Sequence, residues 1–289
     1  MTLRFFFAER GFGRRFVPIT FSILMFASFN TLYAEERIIS LAPHITEVLF
    51  AVGAGSEIVG VVEYSDYPES ANQIPRIGNS SQLSYEAILA MQPTLVVAWQ
   101  SGNGQEDIQR LRELGLNVYS HNPHTLEDVA DSLRIIGELS GHAEEGADQA
   151  ESFLDRLGGL RAKYSNLELV QVYYQLGNEP QMTLNGTHLV SDVIRLCGGK
   201  NIFSDAIPLV PRISVESVVR ANPEVIIAAT VDSQKPEWLD DWLNWPSIQA
   251  ASNNDLYAVN ADFMHRHSSR ILDGAEQMCE ILEQVRPTP

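Results

Sequence analysis

Residues 83–99 read LSYEAILAMQPTLVVAW, and residues 213–229 repeat the same pattern as ISVESVVRANPEVIIAA. Each copy contains a serine, a glutamate two positions later, a proline, and then an apolar run rich in β-branched residues. This order predicts a short helix capped by the serine, a turn before the proline and a buried strand. Because the spacing is identical in both copies, the chain is expected to contain two lobes built on one plan.

The rest of the sequence alternates between strand and helix patterns. Short β-branched runs and apolar residues at helical spacing alternate over residues 37–141 and again from residue 168 onward, which predicts mostly parallel sheets covered by helices. Residues 142–165 instead carry one helical pattern with no strand signal. We therefore predict an α/β protein of two Rossmann-like lobes, residues 35–141 and 166–289, bridged by a single long helix at 142–165.

Residues 1–34 differ in character from the remainder. Four arginines precede an apolar run at residues 16–29, and Ala34 then stands before two glutamates. This order predicts a cleaved secretory signal peptide. A retained membrane anchor is the alternative, although the apolar run is shorter than the roughly 20 residues that a spanning helix needs. The export route, general or twin-arginine, stays open.

Composition and motifs argue against several classes of function. The chain has 20 basic and 37 acidic residues, a net charge of −17, so nucleic acid is not an expected partner. Phosphate-binding loops, the GxSxG elbow and the HExxH pattern are absent from the sequence. We therefore predict a protein that is not an enzyme and assign no catalytic residues.

The two cysteines could form a bridge, and the histidines could bind a metal ion. In an exported protein, two cysteines with no others in the chain, here Cys197 and Cys279, commonly form a disulfide. Two buried free thiols are the alternative. His44, His121 and His265 each follow a predicted strand, and His267 is close by. With help from Asp262, this array could bind zinc or iron. Scattered surface and loop histidines are the favoured interpretation, so no metal site is predicted.

Several candidate binding residues stand where predicted strands end. The segment ADFMHRH, residues 261–267, follows a strand, and ligands of open α/β sheets bind beyond the carboxyl ends of strands. Within it, Asp262, Phe263 and Arg266 offer an anion, an aromatic face and a fork of donors. Tyr64 and Trp99 end two other strands, and aromatic residues converging there would line a cleft.

The repeated glutamates are candidates for a second kind of contact. Glu86 and Glu216 are each predicted at the second position of a helix, where the helix dipole by itself stabilises an acid. They could also dock onto two basic sockets of a symmetric partner, one per lobe.

The chain resembles the periplasmic substrate-binding proteins of ABC importers for cobalamin and ferric chelates. The resemblance covers residues 37–286 and is carried by five stretches taken together: RIISLAPHITEVLFAVGAG (37–55), GVVEYSDYPESA (60–71), PTLVVAWQSGN (93–103), LCGGKNIF (196–203) and RISVESVVRANPEVII (212–227). It implies a class III architecture, in which two lobes joined by one helix hold the ligand between them, and a location in the periplasm.

The same resemblance implies roles for individual residues. Ligand binding falls on Tyr64, Trp99, Asp262, Phe263, Met264, His265 and Arg266. Docking falls on Glu86 and Glu216, each meeting an arginine of the importer's membrane permease dimer, and the disulfide falls on Cys197 and Cys279. The implied function is capture of cobalamin (vitamin B12) or a related corrinoid as cargo by a monomer that has no cofactor and no inserted membrane segment.

The match to the family departs inside the pocket. A tryptophan that the family has near Ser80 or Ser81 is missing, a second is replaced near Leu209 and Val210, and His265 stands where the family has an acid. The loss of flat aromatic walls leaves a second ligand class open, namely haem or a ferric siderophore on the same scaffold.

Overall fold

The computed structural model describes residue 2 and residues 36–79, 82–231 and 233–286. Apart from residue 2, the predicted signal peptide lies outside these ranges, as do its cleavage site and the serines at 80 and 81. The described residues from 36 onward belong to one compact unit. Within the described ranges, no helix has the length and apolar character needed to cross a membrane.

The first half of the chain contains a four-stranded sheet, a separate two-stranded pair and the helices that flank them. The strands of this half are β1 Ile38–Ser40, β2 Ile58–Val61, β3 Gly78–Asn79, β4 Gln82–Leu83, β5 Leu95–Trp99 and β6 Val118–His121. The α-helices of this half are α1 Pro43–Ala51, α2 Tyr85–Ala90, α3 Gln105–Glu113 and α4 Leu126–Leu139. The main sheet is parallel, in the order β2-β1-β5-β6. Strands β3 and β4 form a small antiparallel pair beside it.

The second half repeats this architecture after the long helix α5, Ala143–Tyr164. Its strands are β7 Val170–Gln175, β8 Gly177–Asn178, β9 Gln181–Met182, β10 Gly199–Asn201, β11 Val225–Thr230 and β12 Leu256–Asn260, and its helices are α6 Leu189–Leu196, α7 Val215–Ala221, α8 Gln249–Asn253, α9 Ala261–His265 and α10 Ile271–Val285. The main sheet is again parallel, in the order β10-β7-β11-β12.

The two copies of the repeated stretch adopt the same structure. Ser84 and Ser214 cap α2 and α7, each accepting a hydrogen bond from the backbone N–H three residues later. The residue before each proline, Gln92 in one copy and Asn222 in the other, adopts a left-handed conformation with φ of 48°. Strands β5 and β11 then occupy equivalent central positions in the two sheets, which confirms the predicted fold of two similar α/β halves.

The core is divided by the two sheets. Alternate residues of β5 point to opposite faces, so Leu95 and Val97 pack into one cluster while Val96 and Ala98 pack into another, as a strand buried on both sides requires. The largest cluster contains residues of both sheets together with the apolar side of α5, including Phe153 and Leu157. The helix therefore joins the halves by packing and does not merely span them.

Three local features complete the second half. Residues Gly199–Asn201 form the edge strand β10, whose backbone pairs with β7. The segment 261–267 begins as the short helix α9, and residues Glu237–Asn244 form a 3-10 helix. The disulfide between Cys197 and Cys279 is present and links the end of α6 to α10.

Candidate functional site

The carboxyl ends of strands from both sheets meet at one place. Trp99 is the last residue of β5 and His121 the last of β6, while His267 follows β12 and α9. The His267 ring centroid lies 5.3 Å from that of Trp99 and 5.4 Å from that of His44, which is at the start of α1. These contacts define the cleft: residues of both halves that meet beyond the carboxyl ends of their strands, the usual ligand position in open α/β sheets.

The backbone of Trp99 is fixed by the loop that follows it. Its N–H donates to the side-chain oxygen of Asn103 at 2.7 Å, and the Asn103 amide donates to the carbonyl of Leu41 at 2.9 Å. Asn103 is buried, so this hydrogen-bonded bridge ties the ends of β1 and β5 together. The indole ring is therefore held on a rigid strand end.

A network of charges joins the two halves beside Trp99. The guanidinium of Arg266 contacts Glu47 of α1 at 3.0 Å, Asp66 of the loop after β2 at 2.7 Å and Asp262 of α9 at 2.9 Å. Arg266 and Glu47 are buried, whereas half of the Asp66 side chain is exposed. Burial lowers the pKa of Arg266, but the hydrogen bonds that its guanidinium donates to the carboxylates of Asp66 and Glu47 outweigh this effect and raise the pKa, so this residue is charged.

Glu47 is the centre of this network. Besides Arg266, its carboxylate accepts hydrogen bonds from Arg270 at 3.0 Å and from the hydroxyl of Ser268. Burial raises the pKa of Glu47, and the hydrogen bond from Ser268 and the two arginines act in the opposite direction. A buried ion pair of this kind is costly to break from one side, because the remaining charge then has no partner.

Aromatic side chains accompany the charges. The Arg270 guanidinium lies 3.8 Å from the ring centroid of Tyr67 and 4.8 Å from that of Phe263. One ring from the loop after β2 and one ring from helix α9 therefore contact the same cation. Tyr64, earlier in the same loop, is 76% exposed and has a φ of 64°. A left-handed aromatic residue is uncommon, and this conformation leaves its ring available for contact.

Helix α9 places the remaining predicted ligand residues on different sides. The side chain of Asn260 caps the helix by accepting from the N–H groups of Asp262 and Phe263. Met264 is fully buried in the main core. The ring of His265 is 2.9 Å from the hydroxyl of Tyr174, and burial lowers the pKa of His265 to about 4. The ligand-binding roles of these residues stay predictions.

An apolar loop of the second half borders the cleft. Leu209 lines a small cavity together with Trp99 and His267, and its neighbour Ile207 is 96% exposed. The loop is held from below by Asn185, whose side-chain amide donates to the carbonyl of Ala206 at 3.0 Å. Exposed aliphatic residues on an anchored loop are typical of a surface that receives an apolar partner.

The prediction of scattered histidines is wrong. Five histidines line the small cavity or contact one another beside it, namely His44, His121, His124, His188 and His267. In the sequence only His121 with His124 and His265 with His267 have a ligand-like spacing, and both patterns are common by chance. The ring centroid of His44 lies 5.5 Å from that of His121 and 5.4 Å from that of His267. The ring centroid of His188 lies 5.6 Å from that of His267. His188 was missed because it reads as an ordinary helix cap, which it also is. Among the described residues, no group of three such side chains is arranged to hold a metal ion.

The repeated glutamates lie on the surface, away from the core. Glu86 and Glu216 are exposed and occupy the second position of α2 and α7. Hydrogen bonds from its own backbone N–H and from the hydroxyl of Ser214 lower the pKa of Glu216. The capping arrangement is as predicted, and docking by these side chains stays a prediction.

The chain is similar to known periplasmic binding proteins in both sequence and structure. A family model described as "Periplasmic binding protein" matches residues 38–262. The vitamin B12-binding protein of Vibrio cholerae serotype O1 is 36% identical over 270 residues, which cover 93% of this chain and 97% of that protein. The crystal structure of the periplasmic vitamin B12 binding protein of Vibrio cholerae superposes with a TM-score of 0.81 at 36% identity, covering 88% of this chain and 98% of that one.

The same fold occurs with a different named ligand. The periplasmic heme-binding protein of Roseiflexus sp. RS-1, in its apo form, superposes with a TM-score of 0.76 at 24% identity and covers 87% of this chain and 99% of that one. At that identity the likeness extends to the fold alone. The two halves and the connecting helix are therefore the class III architecture of periplasmic binding proteins.

Proposed function

This chain belongs to the periplasmic binding protein family, and we propose that it captures cobalamin or a closely related corrinoid in the periplasm and delivers it to an inner-membrane ABC importer. The observation that carries the proposal is the 36% identity to a vitamin B12-binding protein across 93% of the chain. The cleft supports it, because both halves contribute rigid aromatic, cationic and imidazole groups to one site.

The proposed binding mode uses the two kinds of wall that the cleft offers. The rings of Tyr64, Trp99 and Phe263 would contact the apolar faces of the macrocycle, and burial of aromatic surface provides most of the binding free energy in such sites. The loop that contains Leu209 would cover part of the same face. The aliphatic loop would take the place of an aromatic wall, so the macrocycle would keep its contact area with the protein but lose ring stacking on that side.

Polar recognition would centre on the charge network. The donors of Arg266 are already engaged by three carboxylates, of which only Asp66 is half exposed. We infer that a polar edge group of the cargo replaces Asp66 on the guanidinium, while Glu47 and Asp262 keep the arginine in position. Asp66 would then act as a stand-in for the cargo when the cleft is empty.

Delivery would use the two exposed glutamates. Glu86 and Glu216 occupy equivalent positions in the two halves, so a permease dimer with one basic socket per subunit would meet one carboxylate from each. The proposal assigns the protein a binding role without catalysis, without a cofactor and as a monomer. Helix N-capping by Ser84 and Ser214 holds the helical turn that carries each glutamate.

The test is a fluorescence titration of the purified protein with cyanocobalamin, haemin and a ferric siderophore. We expect saturable quenching by cyanocobalamin with a stoichiometry of one, and weaker binding of the other two. Trp99→Phe should reduce the quenching amplitude, whereas Trp245→Phe, in a separate surface segment, should keep it. Preferential binding of haemin or of the siderophore would contradict the proposal.

A further inference from the structure

The buried imidazoles of the cleft are not accounted for by the binding mode described above. His44, His121 and His267 are 2%, 6% and 3% exposed, and their rings are linked at centroid distances of 5.4 and 5.5 Å. His44 and His121 come from the first half and His267 from the second. The three rings therefore form part of the contact between the halves.

Hydrogen bonds fix the state of two of the histidines. The hydroxyl of Ser132 donates to the carbonyl of Asp128 at 2.8 Å, so at 3.0 Å it must accept from Nδ1–H of His121, which leaves Nε2 of His121 as a free lone pair. His188 is the opposite case, because its Nδ1 accepts from the N–H of Val190. The proton of neutral His188 is therefore on Nε2, and this ring has no free lone pair.

Several buried nitrogens of the cleft have no hydrogen-bond partner among the described residues. They are Nε2 of His44, Nε2 of His121, both ring nitrogens of His267 and Nε1 of Trp99. A buried polar group without a partner is rare and requires an explanation such as a bound water or ligand. Five such atoms in one connected cluster indicate a site that is completed by something other than the protein.

Of these rings, His267 has the position suited to a ligand. It lines the small cavity between the halves, together with Trp99 and Leu209, whereas His44 and His121 do not. Its ring is held by edge contacts from Trp99 and His188 at 5.3 and 5.6 Å. The cavity volume is about 10 Å³, which is the space of one water molecule, so cargo enters only when the halves separate.

The chemistry of the ring decides the class of occupant. Burial lowers the pKa of His267 well below its ordinary value, and the neighbouring histidines act in the same direction. A neutral imidazole is a ligand for cobalt, iron and similar metals. Because no three of the described side chains can surround a bare ion, one imidazole fits a metal whose other positions a macrocycle already fills.

We propose that His267 is an axial ligand to the metal of the bound macrocycle, and that the protein therefore prefers corrinoids with an exchangeable axial position. The inference rests on the proposed function. A ring nitrogen of His267 donates its lone pair to cobalt and a coordinated water leaves into the cleft. The proton on the other ring nitrogen stays, and the oxidation state of cobalt does not change.

The experiment compares two corrinoid probes. Aquocobinamide has exchangeable water on cobalt, and cyanocobalamin has both axial positions filled. We expect the wild type to shift the visible spectrum of aquocobinamide on binding and to leave that of cyanocobalamin unchanged. His267→Ala should abolish the shift and weaken aquocobinamide binding by roughly tenfold to a hundredfold, the effect of removing a single contact at a metal site. His142→Ala, outside the cleft and next to Glu57, should retain both.

A second measurement does not depend on the variant folding. Electron paramagnetic resonance of the wild type with cob(II)inamide should show splitting by one axial nitrogen, and the splitting should change when the protein carries ¹⁵N-labelled histidine. Binding of aquocobinamide without a spectral shift or nitrogen splitting would overturn the inference and leave the proposed function standing. Failure of the wild type to bind any corrinoid would overturn both.

Discussion

Acid should weaken the protein through its buried histidines, and His121 allows the effect to be calculated. Burial lowers the pKa of His121 from 6.5 to about 4. In the unfolded chain the same ring titrates at its ordinary value, so between these values the unfolded state binds a proton that the folded state does not. Stability therefore falls as the pH is lowered through this window, and the contribution is fully present above it.

The magnitude follows from the two pKa values. At about 1.4 kcal/mol per pKa unit, lowering the pH from about 7.5 to about 5 should remove about 2 kcal/mol of unfolding free energy through His121 alone. This range lies above the titration of Asp128, whose pKa is lowered. Glu47, whose pKa is raised by burial, is present in both the wild type and a variant at position 121, so its contribution cancels when the two are compared.

The assay is urea unfolding at the two pH values, followed by circular dichroism, with the disulfide intact. His121→Gln can still bond Ser132 but does not titrate, so its stability should lose about 2 kcal/mol less than that of the wild type over the same interval. The comparison uses the change with pH and not the absolute stability, so a general cost of the substitution cancels. An unchanged pH dependence in His121→Gln would refute the reasoning.

Three further predictions concern stability and delivery. Glu47→Ala removes the common partner of two arginines and should lower the unfolding free energy by about 3 to 5 kcal/mol in urea unfolding. Replacement of Cys197 and Cys279 by serine opens a bridge with a sequence separation of 82 and should lower the thermal midpoint, with a loss of about 4.5 kcal/mol on the chain-entropy relation. Glu86→Arg combined with Glu216→Arg should abolish corrinoid uptake in cells and leave the affinity for cyanocobalamin near that of the wild type.

Matched substitutions separate these effects from general damage. Glu113→Ala removes an exposed partner of Arg110 and should change stability by no more than about 0.5 kcal/mol. Glu151→Arg, on the exposed side of the connecting helix, should leave uptake unchanged. A Glu47→Ala protein as stable as the wild type would show that the network contributes no net stability, and normal uptake by the double charge reversal would refute docking by these two glutamates.

The docking of the halves depends on residues that no local pattern identifies. Glu47 lies in the middle of an apolar helix, and its partners are more than two hundred residues later in the chain. Hydrophobic periodicity and helix propensity depend on residues that are close in the sequence. They therefore predict helix α1 but not the buried charge that this helix contributes to the contact between the halves. The same holds for His188, which is a helix cap by sequence and a member of the cleft by structure.

The duplicated plan follows from the amino-acid order alone, because caps, prolines and the two-residue alternation of buried strands act over a few residues. The exposed glutamates follow from the same local rules, since the preceding serine sets their position in the first helical turn. Which side chains share the cleft depends on the folded chain, because parallel strands bring their carboxyl ends together irrespective of their separation in sequence. Burial then lowers the pKa of the histidines that meet at the cleft. Histidines that are far apart in the sequence therefore form a connected group of neutral rings, several of whose nitrogens have no hydrogen-bond partner among the described residues.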